Sequence, residues 1–582
     1  MNQKGRRPVS YASVALDIPT RAIDAAYDYL VPDGLAATAT VGATVLVPFS
    51  GRDVVGYVMD VHEEPPVGVA PGRVRPVTQV LAEPAFDAAA ARVARWMAAE
   101  YACPLCEAVR PFLAPGQKVR VTRASADAPW QLVSEKAGPV DERWVGLAPA
   151  ANDYAPGQRA SRQRAVLEAL REGPQRVAEL SATIPGAASA VTALAKRGVV
   201  EVFSRRSVRG SEATSLSSAA APRPERLTAG QVEALAAIDA AREEAAGGVV
   251  LVDGVTGSGK TEVYLDAIER ALAAGRGAIV LVPEISLTAQ TVGRFRSRFG
   301  EDVAVLHSRL STGERFDQWD LVRRGQAHVV VGARSALFAP LADPGLIIID
   351  EEHEGSYKQD SSPRYHAREV AARMAAERGC ALVLGSATPS LESLARCRAG
   401  HFLGRPWTRV SMPERPAGAV LPKVTIVDMA EQFRGGRRGV FSAPLAHALE
   451  GVCERREKAV LLLNRRGFAN FLMCRECGCV PECPHCSCAL TYHERTHSLM
   501  CHTCGRAWPV RAYPDPSTCC PNCGSRYMGA YGVGTQRVED ELRALLPEGV
   551  EVIRMDADTT RTKGAHQRLL EQFDAAECAV LV

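Results

Sequence analysis

The chain has 582 residues and a formal net charge of +3; 47% of its residues are hydrophobic and 23% are charged. At about 150 residues per domain, this length predicts about four globular domains, each able to bury a core. The near-neutral charge excludes a global basic field, so a nucleic-acid partner would need local basic patches. No apolar run reaches the ~18 residues of a membrane span, and Asp17 and Pro19 interrupt the apolar stretch near the start. We therefore expect an untargeted cytoplasmic protein.

Alternating apolar and polar residues predict a small β domain at residues 1–105. The segments VALDIPTRAIDAAYDYLVP and GATVLVPFSGRDVVGYVMDV alternate as half-buried strands do, with Gly and Pro in the turns between them. Cys103 and Cys106 form a Cys-x-x-Cys pair, but no second pair lies near them in sequence. We interpret these two thiols as packing residues.

The next segment has the pattern of a winged helix. Residues 161–203 read as three short amphipathic helices followed by a β wing, within a domain that we place at residues 106–203. Such modules dock on duplex DNA or on proteins, so Arg197 and the turn after it are candidate contacts. Residues 204–226 are rich in Ser, Ala, Arg and Pro without a hydrophobic period, which predicts a linker.

A glycine-rich turn separates an apolar strand from a helix in GGVVLVDGVTGSGKTEVYLDAI, and residues 254–261 match G-x-x-x-x-G-K-T. In such a P-loop, backbone N–H groups cradle phosphates at the helix N-terminus. Lys260 would reach the β and γ oxygens, and Thr261 would ligate Mg²⁺. The predicted ATP-binding residues of this loop are Gly254, Gly257, Ser258, Gly259, Lys260 and Thr261.

Two later strands also end in polar turns. The strand of PGLIIIDEEHE ends in carboxylates, which predicts that Asp350 binds magnesium and that Glu351 activates the attacking water. A solvated acidic turn is the alternative. The strand of ALVLGSATPSLES ends at residues 386–388, a small polar turn that can relay the state of the nucleotide to a bound polymer. The candidate catalytic residues are therefore Lys260, Asp350 and Glu351.

Eleven of the seventeen cysteines lie between residues 474 and 523. In a reducing compartment, regularly spaced pairs indicate metal binding and not disulfides. Four Cys-x-x-Cys pairs can hold two tetrahedral zinc ions with no open position, so the zinc would be structural. The pairs can combine in three ways, and we favour the nested one, in which the outer pairs close over a central zinc ribbon. The predicted ligands are Cys474, Cys477, Cys483, Cys486, Cys501, Cys504, Cys520 and Cys523.

The order of the P-loop, DEEH and SAT motifs resembles the first RecA-like lobe of superfamily 2 helicases. The blocks LVPEISLTAQT, LHSRLSTGER, VVVGARSALFAP and LLLNRRGFAN, and the cysteine pairs followed by GVGTQRVEDEL, resemble the PriA family of primosomal replication-restart helicases. The resemblance implies a multidomain α/β protein. After the β domain and winged helix it would have a RecA-like lobe 1 at 227–415. A partial RecA-like lobe 2 at 416–582 would carry a two-zinc insert at 470–527.

The resemblance also implies binding residues. Tyr27 and Asp28 match by position the Phe-Asp of a pocket that, in the family, captures the 3′ end of a nascent leading strand. A carboxylate there could accept a hydrogen bond from a 3′ hydroxyl and would repel a phosphate; a turn or cap residue is the alternative for Asp28. In related helicases a Gln at the position of Gln231 reads adenine, and an exposed Gln at a helix start is the alternative.

The segment HEGSYKQDSSPRYHARE resembles the family's aromatic-rich loop, which couples single-stranded DNA to ATP hydrolysis. Its aromatic and basic side chains suit stacking on bases and contact with phosphates. Pro363 stands where the family usually has Gly and would stiffen the loop. A polar surface loop is the alternative. The candidate DNA contacts are Tyr357, Lys358, Arg364 and Tyr365.

As a function, the resemblance implies replication restart: recognition of abandoned forks, ATP binding and loading of the replicative helicase. Complete family members would add 3′ to 5′ helicase activity. The implied partners are forked and single-stranded DNA, helicase-loading proteins, other primosome proteins and single-stranded DNA-binding protein. The implied cofactors are two structural Zn²⁺ ions and ATP with Mg²⁺.

The chain stops at DAAECAVLV, before the family's remaining lobe 2 motifs. These include an arginine that reaches the γ-phosphate, and such arginines contribute about 10³ to 10⁵ in rate. We therefore expect ATP binding more firmly than ATP hydrolysis. A fragment of a longer helicase and a natural truncation that acts as a non-hydrolysing fork-binding scaffold both stay open. An RNA-directed motor with a zinc ribbon is disfavoured by the N-terminal match.

Overall fold

The computed structural model describes most of the chain as two compact units, residues 1–420 and 421–582. The described residues are 9–23, 25–69, 71–125, 128–134, 140–152, 154–157, 160–207, 209, 223–245, 247–284, 289–308, 310–415, 422–435, 439–463, 471–474, 476–493, 496, 498–509, 519–531, 535–556, 559–560, 562 and 565–582. Most of the predicted linker, at 210–222, lies outside them, as do residues 464–470 of the LLLNRRGFAN block. No helix in the described part is long and apolar enough to cross a membrane.

The first unit begins with a five-stranded antiparallel sheet, in the order β2-β1-β4-β3-β5. Its strands are β1 (Ser10–Leu16), β2 (Ala26–Val31), β3 (Thr44–Phe49), β4 (Arg52–His62) and β5 (Gln79–Ala82). One face is buried around Val14, Val45 and Val58, as the alternating pattern predicts. Ser13 on β1 lies directly opposite Asp28 on β2.

Two helices follow this sheet: α1 (Ala88–Glu100) and α2 (Leu105–Val109). The predicted domain boundary between residues 105 and 106 lies inside α2. Residues of α1 and α2 belong to one buried core. Cys103 and Cys106 are buried in that core, and burial raises the pKa of the Cys106 thiol to about 11. Their interpretation as packing residues is confirmed.

A small hairpin of β6 (Gln117–Thr122) and β7 (Gln131–Ser134) precedes the winged-helix segment. That segment comprises β8 (Val140–Leu147), α3 (Ser161–Ala169), β9 (Gln175–Arg176), α4 (Val177–Thr183), α5 (Ala187–Lys196) and β10 (Val200–Ser207). The three helices surround Val166, Leu180 and Val191, and β10 pairs with β8 as the wing. Strand β8 was not predicted.

An eight-stranded sheet follows, in the order β13-β14-β12-β15-β16-β11-β18-β17. Its elements are α6 (Ala229–Glu243), β11 (Val249–Gly254), α7 (Lys260–Ala273), β12 (Gly277–Leu281), α8 (Ala289–Phe299), β13 (Val303–Leu306), α9 (Thr312–Arg323), β14 (Val329–Gly332), β15 (Pro344–Ile349), α10 (Ala367–Arg378), β16 (Ala381–Ser386), α11 (Leu391–Ala399), β17 (His401–Phe402) and β18 (Arg405–Met412). All pairs are parallel except β17 with β18. Helices cover both faces, so the central strands are continuously apolar.

One buried core joins the N-terminal helices to a face of this sheet. The Phe112 ring packs edge-on against Phe338 with centroids 4.9 Å apart, and Phe338 packs edge-on against Tyr365 at 5.2 Å. At the rim, Arg378 pairs with Asp87 at 2.9 Å. The N-terminal helices are thus packed against lobe 1.

The second unit has a parallel sheet in the order β19-β26-β25, with two small antiparallel sheets, β20-β24 and β21-β22-β23. Its elements are α12 (Met429–Arg434), α13 (Ala443–Glu454), β19 (Lys458–Val460), β20 (Phe471–Cys474), β21 (Thr491–His493), β22 (Ser498–Met500), β23 (Ala507–Pro509), β24 (Met528–Tyr531), α14 (Thr535–Leu545), β25 (Glu551–Ile553), α15 (Ala565–Ala575) and β26 (Ala579–Leu581). The predicted fold class, a multidomain α/β protein with a RecA-like core and a cysteine-rich insert, is confirmed.

Candidate functional site

The P-loop lies at the carboxyl end of β11 and leads into α7. Gly257 and Gly259 have φ angles of 82° and 86°, in the left-handed region that favours glycine. The Lys260 ammonium donates to the Gly254 carbonyl over 2.8 Å and lies 3.8 Å from a Glu351 carboxylate oxygen. The loop therefore brings the lysine, the helix N-terminus and the DEEH carboxylates to one place.

A cavity of about 700 Å³ opens at this loop, a size typical of small-molecule sites. The residues that line it include 256–262, Asp350, Glu351, Arg223, Arg294 and Arg298. Sequence reasoning missed the three arginines. Arg294 and Arg298 are four residues apart on α8, and such spacing puts both on one helix face. In this structure Arg298 pairs with Glu262, Asp266 and Glu269.

Asp350 and Glu351 follow β15 directly. The Tyr264 hydroxyl donates to Asp350 Oδ1 over 3.0 Å. Burial raises the pKa of Asp350, and the neighbouring Glu351 charge raises it further. Glu351 has a φ of 46°, a strained conformation for a residue with a β-carbon. The carboxylate of Asp350 and the hydroxyl of Thr261, both lining the cavity, are the oxygen ligands that magnesium prefers, so these residues fit the implied ion.

The DEEH motif contacts the SAT motif through His353. Its Nδ1 lies 2.7 Å from the Ser386 hydroxyl oxygen, which also accepts the Thr388 backbone N–H at 3.0 Å. His353 Nδ1 is also 3.6 Å from Glu351. The His353 side chain therefore lies between the Glu351 carboxylate and the Ser386 hydroxyl of the SAT turn.

Glu352 is fully buried and holds the motifs together. It accepts from the Arg368 guanidinium over 2.6 Å, from the Ser390 backbone N–H over 2.6 Å and from the Ser393 hydroxyl over 3.0 Å. Burial alone would raise the pKa of Glu352, but these donors leave it below its usual value. Its contribution to stability is therefore present above the unfolded-state pKa and is lost as the pH falls through the folded value.

We expect Arg368→Met to lower the free energy of unfolding of lobe 1 by about 3–5 kcal/mol, because the Glu352 charge would stay buried without its partner. The measurement is the urea midpoint of the lobe 1 transition. A double variant that also carries Glu352→Gln is the control, and it should recover much of the loss because the pair is replaced by neutral groups. An unchanged midpoint in the single variant would contradict this role for the pair.

The two tyrosines of the aromatic loop that are predicted to stack on bases are buried in this structure. Tyr357 is 1% exposed and Tyr365 is 2% exposed. The Tyr357 hydroxyl donates to the Asp350 carbonyl over 2.7 Å, and Tyr365 packs on Phe338. Residues of the DEEH turn and Phe338 cover them in this structure, and contact of Tyr357 and Tyr365 with DNA stays a prediction.

The two basic residues of the same loop lie at the surface. Lys358 donates to the Arg364 backbone carbonyl and lies over the Tyr101 ring at 5.3 Å. Arg364 donates to the Asp360 carbonyl over 3.1 Å. Contact of Lys358 and Arg364 with DNA stays a prediction.

Gln231 is buried and does not line the nucleotide cavity. Its amide oxygen accepts the Thr228 backbone N–H over 2.8 Å, and its amide nitrogen donates to the Gly259 carbonyl over 3.2 Å. The alternative of an exposed Gln is wrong, because the side chain is buried, caps α6 and donates to the P-loop. Recognition of adenine by Gln231 stays a prediction.

The eight predicted cysteines form two clusters, and within each cluster the sulfur atoms all lie within 4.8 Å of one another. The outer cluster is Cys474, Cys477, Cys520 and Cys523; the inner cluster is Cys483, Cys486, Cys501 and Cys504. This is the nested arrangement. Sulfurs at ~2.3 Å from a tetrahedral zinc lie about 3.8 Å apart, and the Cys483 and Cys504 sulfurs are 3.8 Å apart. Both clusters therefore fit zinc.

All four cysteine pairs use the same backbone turn. The residue after the second cysteine donates its N–H to the carbonyl of the first, over 2.8 to 3.0 Å. Those residues have φ angles between 51° and 73°, and they are Gly478, Ser487, Gly505 and Gly524. Three of the four are therefore the residue type that such a turn favours.

A second cavity, of about 620 Å³, lies in the N-terminal sheet domain. Both predicted end-binding residues, Tyr27 and Asp28, line it. The Tyr27 ring lies 5.4 Å from the Phe49 ring. Two exposed arginines that sequence reasoning missed, Arg73 and Arg75, also line it, so the cavity combines an aromatic pair, a carboxylate and two cations.

Three family models match the chain. Residues 13–114 match a 3′DNA-binding domain, 228–397 match a DEAD/DEAH box helicase, and 483–509 match the PriA DNA helicase Cys-rich region domain. A replication restart protein PriA from Bacillus subtilis is 37% identical over 627 residues, covering 99% of this chain and 76% of the relative. The one from Synechocystis is 34% identical over 637 residues, covering 98% and 74%.

Proposed function

The chain belongs to the family of replication restart protein PriA, and on that premise we propose that it captures the 3′ end of DNA at a fork and couples this to ATP use at lobe 1. The observation that carries the proposal is the presence of two cavities in one compact unit, one suited to a nucleotide and one to a DNA end. We also propose that the protein acts in the cytoplasm.

At lobe 1, Lys260 would exchange its Gly254 carbonyl for the β and γ phosphate oxygens of ATP. Thr261 and Asp350 would hold magnesium, which when bound neutralises charge on the phosphates. Glu351 would orient the attacking water and accept its proton. His353 would pass the resulting change at Glu351 to the Ser386 turn.

In the N-terminal cavity, the Asp28 carboxylate would accept a hydrogen bond from the terminal 3′ hydroxyl. A terminal phosphate would be repelled by the same charge. Tyr27 and Phe49 offer ring faces to the last base, and Arg73 and Arg75 offer charge to the phosphates before it. The chemistry of this cavity suits an unmodified DNA end.

We expect Asp28→Asn to lower the preference for forks with a 3′ hydroxyl over forks with a 3′ phosphate by about tenfold or more, because hydrogen bonds to charged groups contribute about 1.5–3 kcal/mol. The measurement is the ratio of the two dissociation constants at one salt concentration. Asp60→Asn is the matched control, since Asp60 is an exposed carboxylate of the same sheet that does not line the cavity. Equal ratios for wild type and Asp28→Asn would refute the end-binding role.

Family membership also suggests protein partners, and we propose contacts with helicase-loading proteins, other primosome proteins and single-stranded DNA-binding protein. A fork-binding scaffold without ATP turnover is the second candidate function. Turnover stimulated by forked DNA would exclude it.

A further inference from the structure

Asp28 contacts two side chains that the function proposed above does not use. The Ser13 hydroxyl donates to Asp28 Oδ1 over 2.5 Å, across the β1–β2 pair in which these residues lie opposite each other. His62 Nε2, from the end of β4, lies 3.4 Å from the same oxygen. For the other oxygen, Oδ2, the described residues provide no hydrogen bond. The carboxylate is therefore anchored on one side only.

The His62 ring is itself fixed. Its Nδ1 lies 2.7 Å from the Glu64 backbone carbonyl, which can only accept, so Nδ1 carries a hydrogen and donates. The ring also stacks on Tyr11, with centroids 5.9 Å apart and planes 22° apart. Nε2 is thereby aimed at Asp28 and at the Ser13 hydroxyl oxygen, which is also 3.4 Å away. Because Nδ1 carries the single hydrogen of the neutral ring, Nε2 can donate to the carboxylate only in the protonated ring.

These contacts are not needed to hold the strands together. Backbone pairing joins β1 to β2 over six residue pairs and β1 to β4 over six more. The apolar core of this domain does not include Ser13, Asp28 or His62, and the Asp28 and His62 side chains are about a quarter exposed. Packing therefore does not explain this partly exposed polar cluster, one member of which, Asp28, lines the cavity.

We propose that Ser13 and His62 are positioning residues that determine specificity for the DNA end: they hold Asp28 Oδ1 so that Oδ2 is presented to the 3′ hydroxyl. The inference rests on the proposed end-binding function. A carboxylate that is free to rotate loses rotamer freedom when the DNA end binds, which weakens binding. A carboxylate that is already anchored does not incur this loss, so the DNA end binds more tightly. The anchored oxygen also cannot turn away from a terminal phosphate, so the repulsion is retained.

The test compares forks whose leading strand ends in a 3′ hydroxyl, a 3′ hydrogen or a 3′ phosphate. Ser13→Val and Ser13→Thr form an isosteric pair that differs by the hydroxyl. His62→Phe keeps a ring on Tyr11 without nitrogen, and His62→Gln keeps a polar side-chain amide. The readout is the ratio of affinities for hydroxyl and hydrogen ends, because a general loss of folding lowers both affinities alike.

We expect Ser13→Val to reduce this ratio by about threefold to tenfold, and His62→Phe to reduce it by as much where the His62 ring is protonated. Under that condition the double variant with both substitutions should reach the ratio of Asp28→Asn. Ser13→Thr and His62→Gln should recover most of it. Wild-type ratios in Ser13→Val and His62→Phe, with a reduced ratio in Asp28→Asn, would overturn the inference and leave the end-binding function intact. A wild-type ratio in Asp28→Asn would refute that function. If a substitution at Ser13 or His62 prevents folding, the pair of variants at the other residue tests the inference.

Discussion

Removal of zinc is expected to unfold residues 471–531 while the N-terminal unit stays folded. The sheets of this segment are two or three strands wide with strands of three or four residues, too little to be stable alone. Four of the nine buried residues of its core are cysteines that belong to the two clusters. Structural zinc contributes about 10–16 kcal/mol in small zinc-binding peptides. The measurement is hydrogen exchange of both units before and after chelation, with metal analysis expected to give about two zinc per chain.

Single cysteine substitutions distinguish ligands from other thiols. Cys501→Ser should reduce the content to about one zinc per chain, because the inner cluster loses one of its four ligands. Cys519→Ser is the matched control: Cys519 is exposed, adjoins the ligand Cys520 and belongs to neither cluster, so both ions should stay. Loss of zinc in the Cys519 variant, or full zinc in the Cys501 variant, would contradict the assignment of the eight ligands.

Lys260→Ala is expected to weaken MgATP binding by at least about a hundredfold. The lysine would contact two phosphate groups, and charge-assisted hydrogen bonds contribute about 1.5–3 kcal/mol each. Fork binding should persist, since the N-terminal cavity has a separate lining. The measurement is nucleotide affinity, together with ATP turnover with and without a fork that ends in a 3′ hydroxyl.

The matched control is Lys423→Ala, an exposed lysine that does not line the nucleotide cavity. Unchanged nucleotide affinity in Lys260→Ala would refute the P-loop assignment. DNA-stimulated turnover of the unmodified chain above the Lys260→Ala blank would favour the helicase over the scaffold. Fork binding without turnover would favour the scaffold.

The sequence alone determined the chemistry that local patterns encode. The P-loop, the carboxylates after β15 and the cysteine pairs each occupy a few consecutive residues, and their spacing follows from one turn or one strand end. The structure brings the first two together at one cavity and groups the cysteines as predicted. Local motifs of this kind can be identified without knowing what packs around them.

Only the tertiary structure decided which side chains face solvent and which meet across the fold. Tyr357 and Tyr365 belong to an aromatic and basic segment that suits base stacking, but both are buried: Tyr365 packs on Phe338, and the Tyr357 hydroxyl donates to the Asp350 carbonyl. Gln231 has its amide bonded to the P-loop, 28 residues away. Ser13, Asp28 and His62 meet because antiparallel register aligns β1 with β2 and β4. Exposure and register depend on long-range packing, and no short segment of sequence contains that information.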